Sequence, residues 1–105
     1  MAKSQRTKGA RAQAAFADVL RSRNWVVDHL TSGRSNEDLI ATDPHDQQWS
    51  VEVKDHKIIN LGAFLLQARC QASNRHLPWM LACHLPGTSS WLVMRKNERA
   101  VIWHD

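Results

Sequence analysis

No apolar run in the 105-residue chain approaches the roughly 20 residues that a helix needs to cross a bilayer. The N-terminus is basic with no apolar stretch behind it, so no secretory signal is read and a cytoplasmic setting is expected. Cysteine is scarce. Cys70 and Cys83 lack zinc-site or redox spacing and read as reduced thiols. A zinc set completed by His76 and His84 fails on geometry, because Cys83 and His84 adjoin in one strand and point to opposite faces. Also missing are internal repeats, a glycine loop that cradles phosphate, and a Ser-His-Asp arrangement. At this length there is room for one core and not two.

What is present is charge, unevenly spread. The net charge is +4 and the pI near 9.6, which suits a polyanionic partner. Residues 1–23 carry Lys3, Arg6, Lys8, Arg11, Arg21 and Arg23 against Asp18 alone, whereas residues 28–55 hold seven acids against Arg34 and Lys54. Beyond His56 the balance is basic again. Cations suit phosphates and carboxylates suit a metal, the paired needs of a metal-dependent enzyme acting on DNA. A soluble basic protein with chance clustering accounts for the same numbers.

Apolar spacing supplies the elements. Ala12, Ala15, Phe16, Val19 and Leu20 recur at three- and four-residue intervals, predicting a helix from about Lys8 to Arg23. Residues 1–7, small, polar and basic, are expected to be a flexible tail, which leaves 8–105 as a single domain. Strands are expected at residues 25–30, 38–42, 48–54, 79–84 and 91–94, with a short last one at 100–103. The unbroken apolar run at 79–84 is that of a strand covered on both faces. A second helix begins at an Asn60 N-cap and runs to about Ser73, with Leu61, Phe64, Leu65, Ala68 and Ala72 on its buried stripe. The five tryptophans lie mostly in apolar strands and read as core or interface residues. The order α-β-β-β-α-β-β makes an α/β fold with a mixed central sheet flanked by two main helices.

The centre of the chain carries the chemistry. In residues 48–54, Gln48, Ser50, Glu52 and Lys54 alternate with Trp49, Val51 and Val53. The turn formers Asp43, Pro44, His45, Asp46 and Gln47 join this strand to residues 38–42 as a hairpin. If Thr42 pairs with Gln48, Ile40 faces Ser50 and Asp38 faces Glu52, while Leu39, Ala41, Trp49, Val51 and Val53 gather on the other side. Two carboxylates are then set about 5 Å apart at Cβ, and at an effective dielectric near 20 they repel by roughly 3 kcal/mol. A divalent cation shared by both offsets that cost, with Lys54 beside it to position a water or stabilise phosphoryl charge.

Asp38, then a hairpin, then Glu52-Val53-Lys54 resembles the PD-(D/E)XK nuclease superfamily. Lys8-Gly9 opening a helix, a strand, Asp38-Leu39-Ile40-Ala41 and then Val51-Glu52-Val53-Lys54 are similar to archaeal-type Holliday junction resolvases and the small phage nucleases like them. The resemblance covers most of the chain. It implies a restriction-endonuclease-like core and a Mg²⁺-dependent DNA endonuclease, a phosphodiester hydrolase in which Mn²⁺ substitutes. It also implies action on branched DNA in recombination, as a homodimer, in a bacterial or phage-infected cell.

On that resemblance Asp38 and Glu52 hold the metal with the Val53 carbonyl, and Lys54 orients the attacking water. Gln13 stands four residues after Gly9, where the family usually has a metal-binding glutamate. It is a neutral ligand, a mark of weakened activity, or a plain surface residue. Lys8, Arg11, Arg34, His56, Lys57 and Gln67 are the expected DNA contacts, with Gln67 preferred to Gln71 as the helix glutamine facing the site. Two alternatives stay open: a nuclease acting on linear or single-stranded DNA, and a DNA-binding protein on the same scaffold whose catalysis has decayed.

Overall fold

The computed structural model describes residues 2–30 and 38–104, and the side chains of 9–28 and 39–104. Among them the order is α1 (Ala2–Ser22), β1 (Val26–Leu30), β2 (Asp38–Thr42), β3 (Gln48–Lys54), α2 (Leu61–Arg75), β4 (Trp79–His84), β5 (Trp91–Arg95) and β6 (Val101–Trp103). The strands form a six-stranded sheet in chain order. Neighbours are antiparallel except β3 and β4, which run parallel because α2 carries the chain back between them. The mixed α/β architecture expected from the sequence is therefore present, with the short last strand completing the sheet.

The two helices cover opposite faces. Phe16 and Leu20 of α1 share a core with Leu39, Val51, Met80 and Val93, while Phe64 and Ala68 of α2 pack with Leu81 and Cys83. β4 is thus buried on both sides, as its apolar run required. Trp25, Trp49, Trp91 and Trp103 are buried and Trp79 is half-buried, so the tryptophans are core residues.

Helix α1 departs from expectation twice. It begins at Ala2 instead of Lys8, in a stretch too polar for apolar spacing to mark. Its buried stripe is Ala12, Phe16, Ala17 and Leu20, and Ala15 is exposed. On a helical wheel this stripe is turned toward Ala17, which draws Gln13 from the edge of the stripe into it. Helix α2 begins as expected, with Asn60 Oδ1 accepting from the Ala63 N–H at 3.2 Å. It ends two residues later than expected because His76, at φ 56°, takes the left-handed C-cap and donates its N–H to the Ala72 and Ser73 carbonyls.

The β2–β3 hairpin has the register read from the sequence: Thr42 opposite Gln48, Ala41 opposite Trp49, Ile40 opposite Ser50 and Leu39 opposite Val51. Asp43 locks it. Its carboxylate accepts from Trp49 Nε1 at 3.0 Å and from the N–H groups of His45 at 2.8 Å and Gln47 at 3.0 Å. Partial burial pushes its pKa up, but these donors outweigh burial and hold it below the usual carboxylate value. A lowered folded-state pKa means stabilisation that is present above the unfolded value near 3.8 and lost as pH falls through the folded one. Asp43→Ala should lower stability at pH 7 by about 1 kcal/mol, or roughly 4–8 °C in Tm. Thermal melts followed by circular dichroism at decreasing pH should show the gap between the two proteins closing once the carboxyl is protonated.

Candidate active site

Strand β3 divides its side chains between the helices. Val51 and Val53 join the α1 core, while Ser50, Glu52 and Lys54 face α2. Ser50 is 2% exposed and accepts from Arg75 Nη1 at 2.9 Å, tying the last turn of α2 to the strand. Further along the strand, Lys54 Nζ lies 3.1 Å from Glu52 Oε2, with side-chain exposures of 17% and 16%. The pair is sheltered yet open to solvent. Phe64 of α2 supports it, its ring centroid 5.4 Å from Lys54 Nζ and 4.9 Å from the His56 ring.

Across the parallel ladder Lys54 is paired with Cys83. Burial pushes the Cys83 thiol up to about 11, against the opposing pull of the Lys54 ammonium. At neutral pH this is an inert thiol, packed as a small apolar group.

Asp38 opens β2 and pairs with Leu30 on its β1 side. On the β3 side the ladder ends at Leu39 opposite Val51, and the next residue along each strand is Asp38 and Glu52. Lys8 lies within α1, and Gln13 is half-buried there with Oε1 shut off from solvent. His56 and Lys57 are exposed just past β3. Of the two glutamines on α2, Gln67 is exposed and Gln71 half-buried, so Gln71 is the one nearer the sheet. Arg34 lies outside the described residues.

Among the described residues no three His, Cys, Asp or Glu side chains converge as a metal site. The donor chemistry nonetheless suits a hard cation: Glu52 offers carboxylate oxygens from a half-buried position, and the residue that follows the ladder's end on β2 is a second acid, Asp38. The Cys83 thiol, a softer ligand, is buried in the α2 core.

Arg11 does not lie with this group. It lines a separate cleft on the α1 face together with Asp55, the next residue after Lys54, and His84 at the end of β4. His84 is held at both ring nitrogens, with Nδ1 3.1 Å from Asp55 Oδ1 and Nε2 2.6 Å from the Thr88 carbonyl. The sequence reading has neither this pair nor the Phe64 support. The alternation that turns Val53 to α1 marks Asp55 as well, but its partner follows only once β4 is known to run parallel to β3.

Neither a family model nor a curated protein matches the sequence. A solved structure shares the fold. It is the Holliday junction resolvase Hjc of Archaeoglobus fulgidus, from an archaeal hyperthermophile, which aligns over 93% of this chain and 84% of its own with a TM-score of 0.62. Sequence identity is 16%, so the likeness is one of fold. No helix among the described residues is long and apolar enough to cross a membrane.

Proposed function

We propose that this protein is a metal-dependent DNA endonuclease of the PD-(D/E)XK superfamily that cleaves branched DNA, with a four-way junction as substrate. What supports the reading is the Lys54 Nζ–Glu52 Oε2 contact at 3.1 Å, together with a β2–β3 register whose Leu39–Val51 pair is followed by Asp38 on one strand and Glu52 on the other. The fold shared with a resolvase supports it. Asp38, Glu52 and the Val53 carbonyl would hold Mg²⁺ or Mn²⁺. The ion would supply Lewis-acid polarisation of a phosphoryl oxygen and a lowered pKa for water.

The chain's own residues do the rest. Lys54 orients the attacking water in line with the scissile P–O bond and stabilises charge on the phosphoryl oxygens. The Phe64 ring faces the Lys54 ammonium and packs against the His56 ring. Lys8, Arg34, His56, Lys57 and Gln67 contact the DNA around the site, and Arg11 contacts it from the separate cleft on the α1 face. Two copies acting together match the two-fold symmetry of a junction.

The neutral Gln13 favours a second reading, a DNA-binding protein on this scaffold with decayed catalysis, because an amide brings no charge to the metal. One experiment separates the readings: incubation with a four-way junction and a matching linear duplex in Mg²⁺, Mn²⁺ or EDTA. Symmetric incision of the junction with metal is the expected result. Equal cutting of both substrates would make it a general nuclease, and binding without cutting under every condition would favour the decayed scaffold.

A further inference from the structure

Between α1 and the β4–β5 turn lies a cavity of about 370 Å³ that the chemistry at Glu52 and Lys54 does not use. We propose that it is a pocket for one unstacked nucleotide, with the base inside and its phosphate on Arg11; the assignment of the ligand to DNA rests on the endonuclease reading.

The lining argues for this ligand. Ala12, Ala15 and Val19 of α1 and Trp91 of β5 give apolar walls suited to the faces of a base. Exposed Arg11 and Ser89 mark the mouth, and half-buried Asp55 and His84 lie deeper. Arg11 makes no ion pair with another described residue, so its guanidinium is available to a phosphate. Asp55 spends Oδ1 on His84, and Oδ2 can accept from the amino group of a base such as cytosine. The same carboxylate disfavours a bare anion inside the cleft, which separates a nucleotide from free phosphate.

Position and energetics narrow the substrate further. A cavity of this size has room for a base and its sugar. Drawing a base out of duplex DNA costs a few kcal/mol, and least where pairing is already broken. Such a pocket therefore favours DNA with opened pairs, as at a branch point. Asp55 directly follows Lys54, so the cleft lies at the C-terminal end of β3, on the opposite face of the sheet from the candidate catalytic pair.

The test titrates the full protein with deoxycytidine 5′-monophosphate and, separately, 2-deoxyribose 5-phosphate, followed by ¹⁵N NMR. It is paired with anisotropy measurements of junction and linear-duplex binding in EDTA. The nucleotide should shift the Ala12, Ala15 and Ser89 amides and the Trp91 indole, whereas the sugar phosphate should leave the indole in place. Ala15→Phe, which fills the cleft from an exposed helix position, should remove that response and weaken junction binding about tenfold while sparing linear duplex. Ser89→Trp, from the opposite wall, should do the same and guards against a folding defect in the first variant. An unmoved cleft in the wild type, or wild-type junction affinity in both folded variants, overturns the proposal. Loss of all DNA binding with the mononucleotide response intact would sink the endonuclease reading and leave the pocket standing.

Discussion

Glu52→Gln and Lys54→Ala should each reduce metal-dependent cleavage by at least about 100- to 1000-fold, the cost of removing one preorganised charge or donor from a transition state. The structure lets this loss be told apart from unfolding. Glu52 and Lys54 form one ion pair with side-chain exposures of 16% and 17%, between the surface case, worth about 0–1 kcal/mol, and the buried one, where removing a partner costs more. If Asp38 faces Glu52, one position beyond the Leu39–Val51 pair, their repulsion opposes that gain when no cation separates them. Glu52→Gln, whose amide still accepts from Lys54, should melt close to wild type in EDTA, and in the presence of Mg²⁺ it should show less metal-induced rise in Tm. A clear drop in Tm in EDTA would make Glu52 a structural partner of Lys54. Full activity in either folded variant would remove that residue from the mechanism.

Phe16→Ala should cost about 3–5 kcal/mol, which at roughly 4–8 °C per kcal/mol lowers Tm by about 15 °C or more. Phe16 is fully buried, with its ring centroid 5.0 Å from that of Trp91 and 5.8 Å from that of Trp103. The void would open where α1 meets β5 and β6, so both the transfer term and the cavity term apply. The α1 side chains that line the cleft ride on this contact, and residual DNA binding should weaken along with stability. Urea titrations should give a lower midpoint with an unchanged slope, the mark of lost stability in a two-state domain. A midpoint within error of wild type would show that the site collapses without cost.

Where a side chain's fate depends on alternation along one strand, the sequence was a sufficient guide. Trp49, Val51 and Val53 against Ser50, Glu52 and Lys54 settled the face of each residue, and the matching pattern of Leu39 and Ala41 left a single register. Asn60 announced the start of α2 because a cap is a local device. Contacts set by how elements dock were not legible. The rotation of α1 that buries Ala17 and exposes Ala15 depends on where Trp91 and Trp103 stand, and nothing within the helix records that. Asp43 was readable as a turn former, but its bond to the Trp49 indole needs the indole's rotamer. The Asp55–His84 contact needed the parallel pairing of β3 with β4, which joins residues that the sequence keeps 29 positions apart.

That parallel seam has a consequence of its own. On either side of it the sheet is a three-stranded meander whose strands pair with their immediate successors, so each half is assembled from short-range hairpins that close quickly. Joining the halves requires the long crossover through α2 to be ordered first, which places the loop-closure cost on this one step. Glu52 and Lys54 stand on the strand at the join. A backbone cut in the exposed stretch around Lys57 and Ile58 would thus divide the chain into two pieces, each holding a whole meander, and activity would report their reassociation in the manner of a split enzyme.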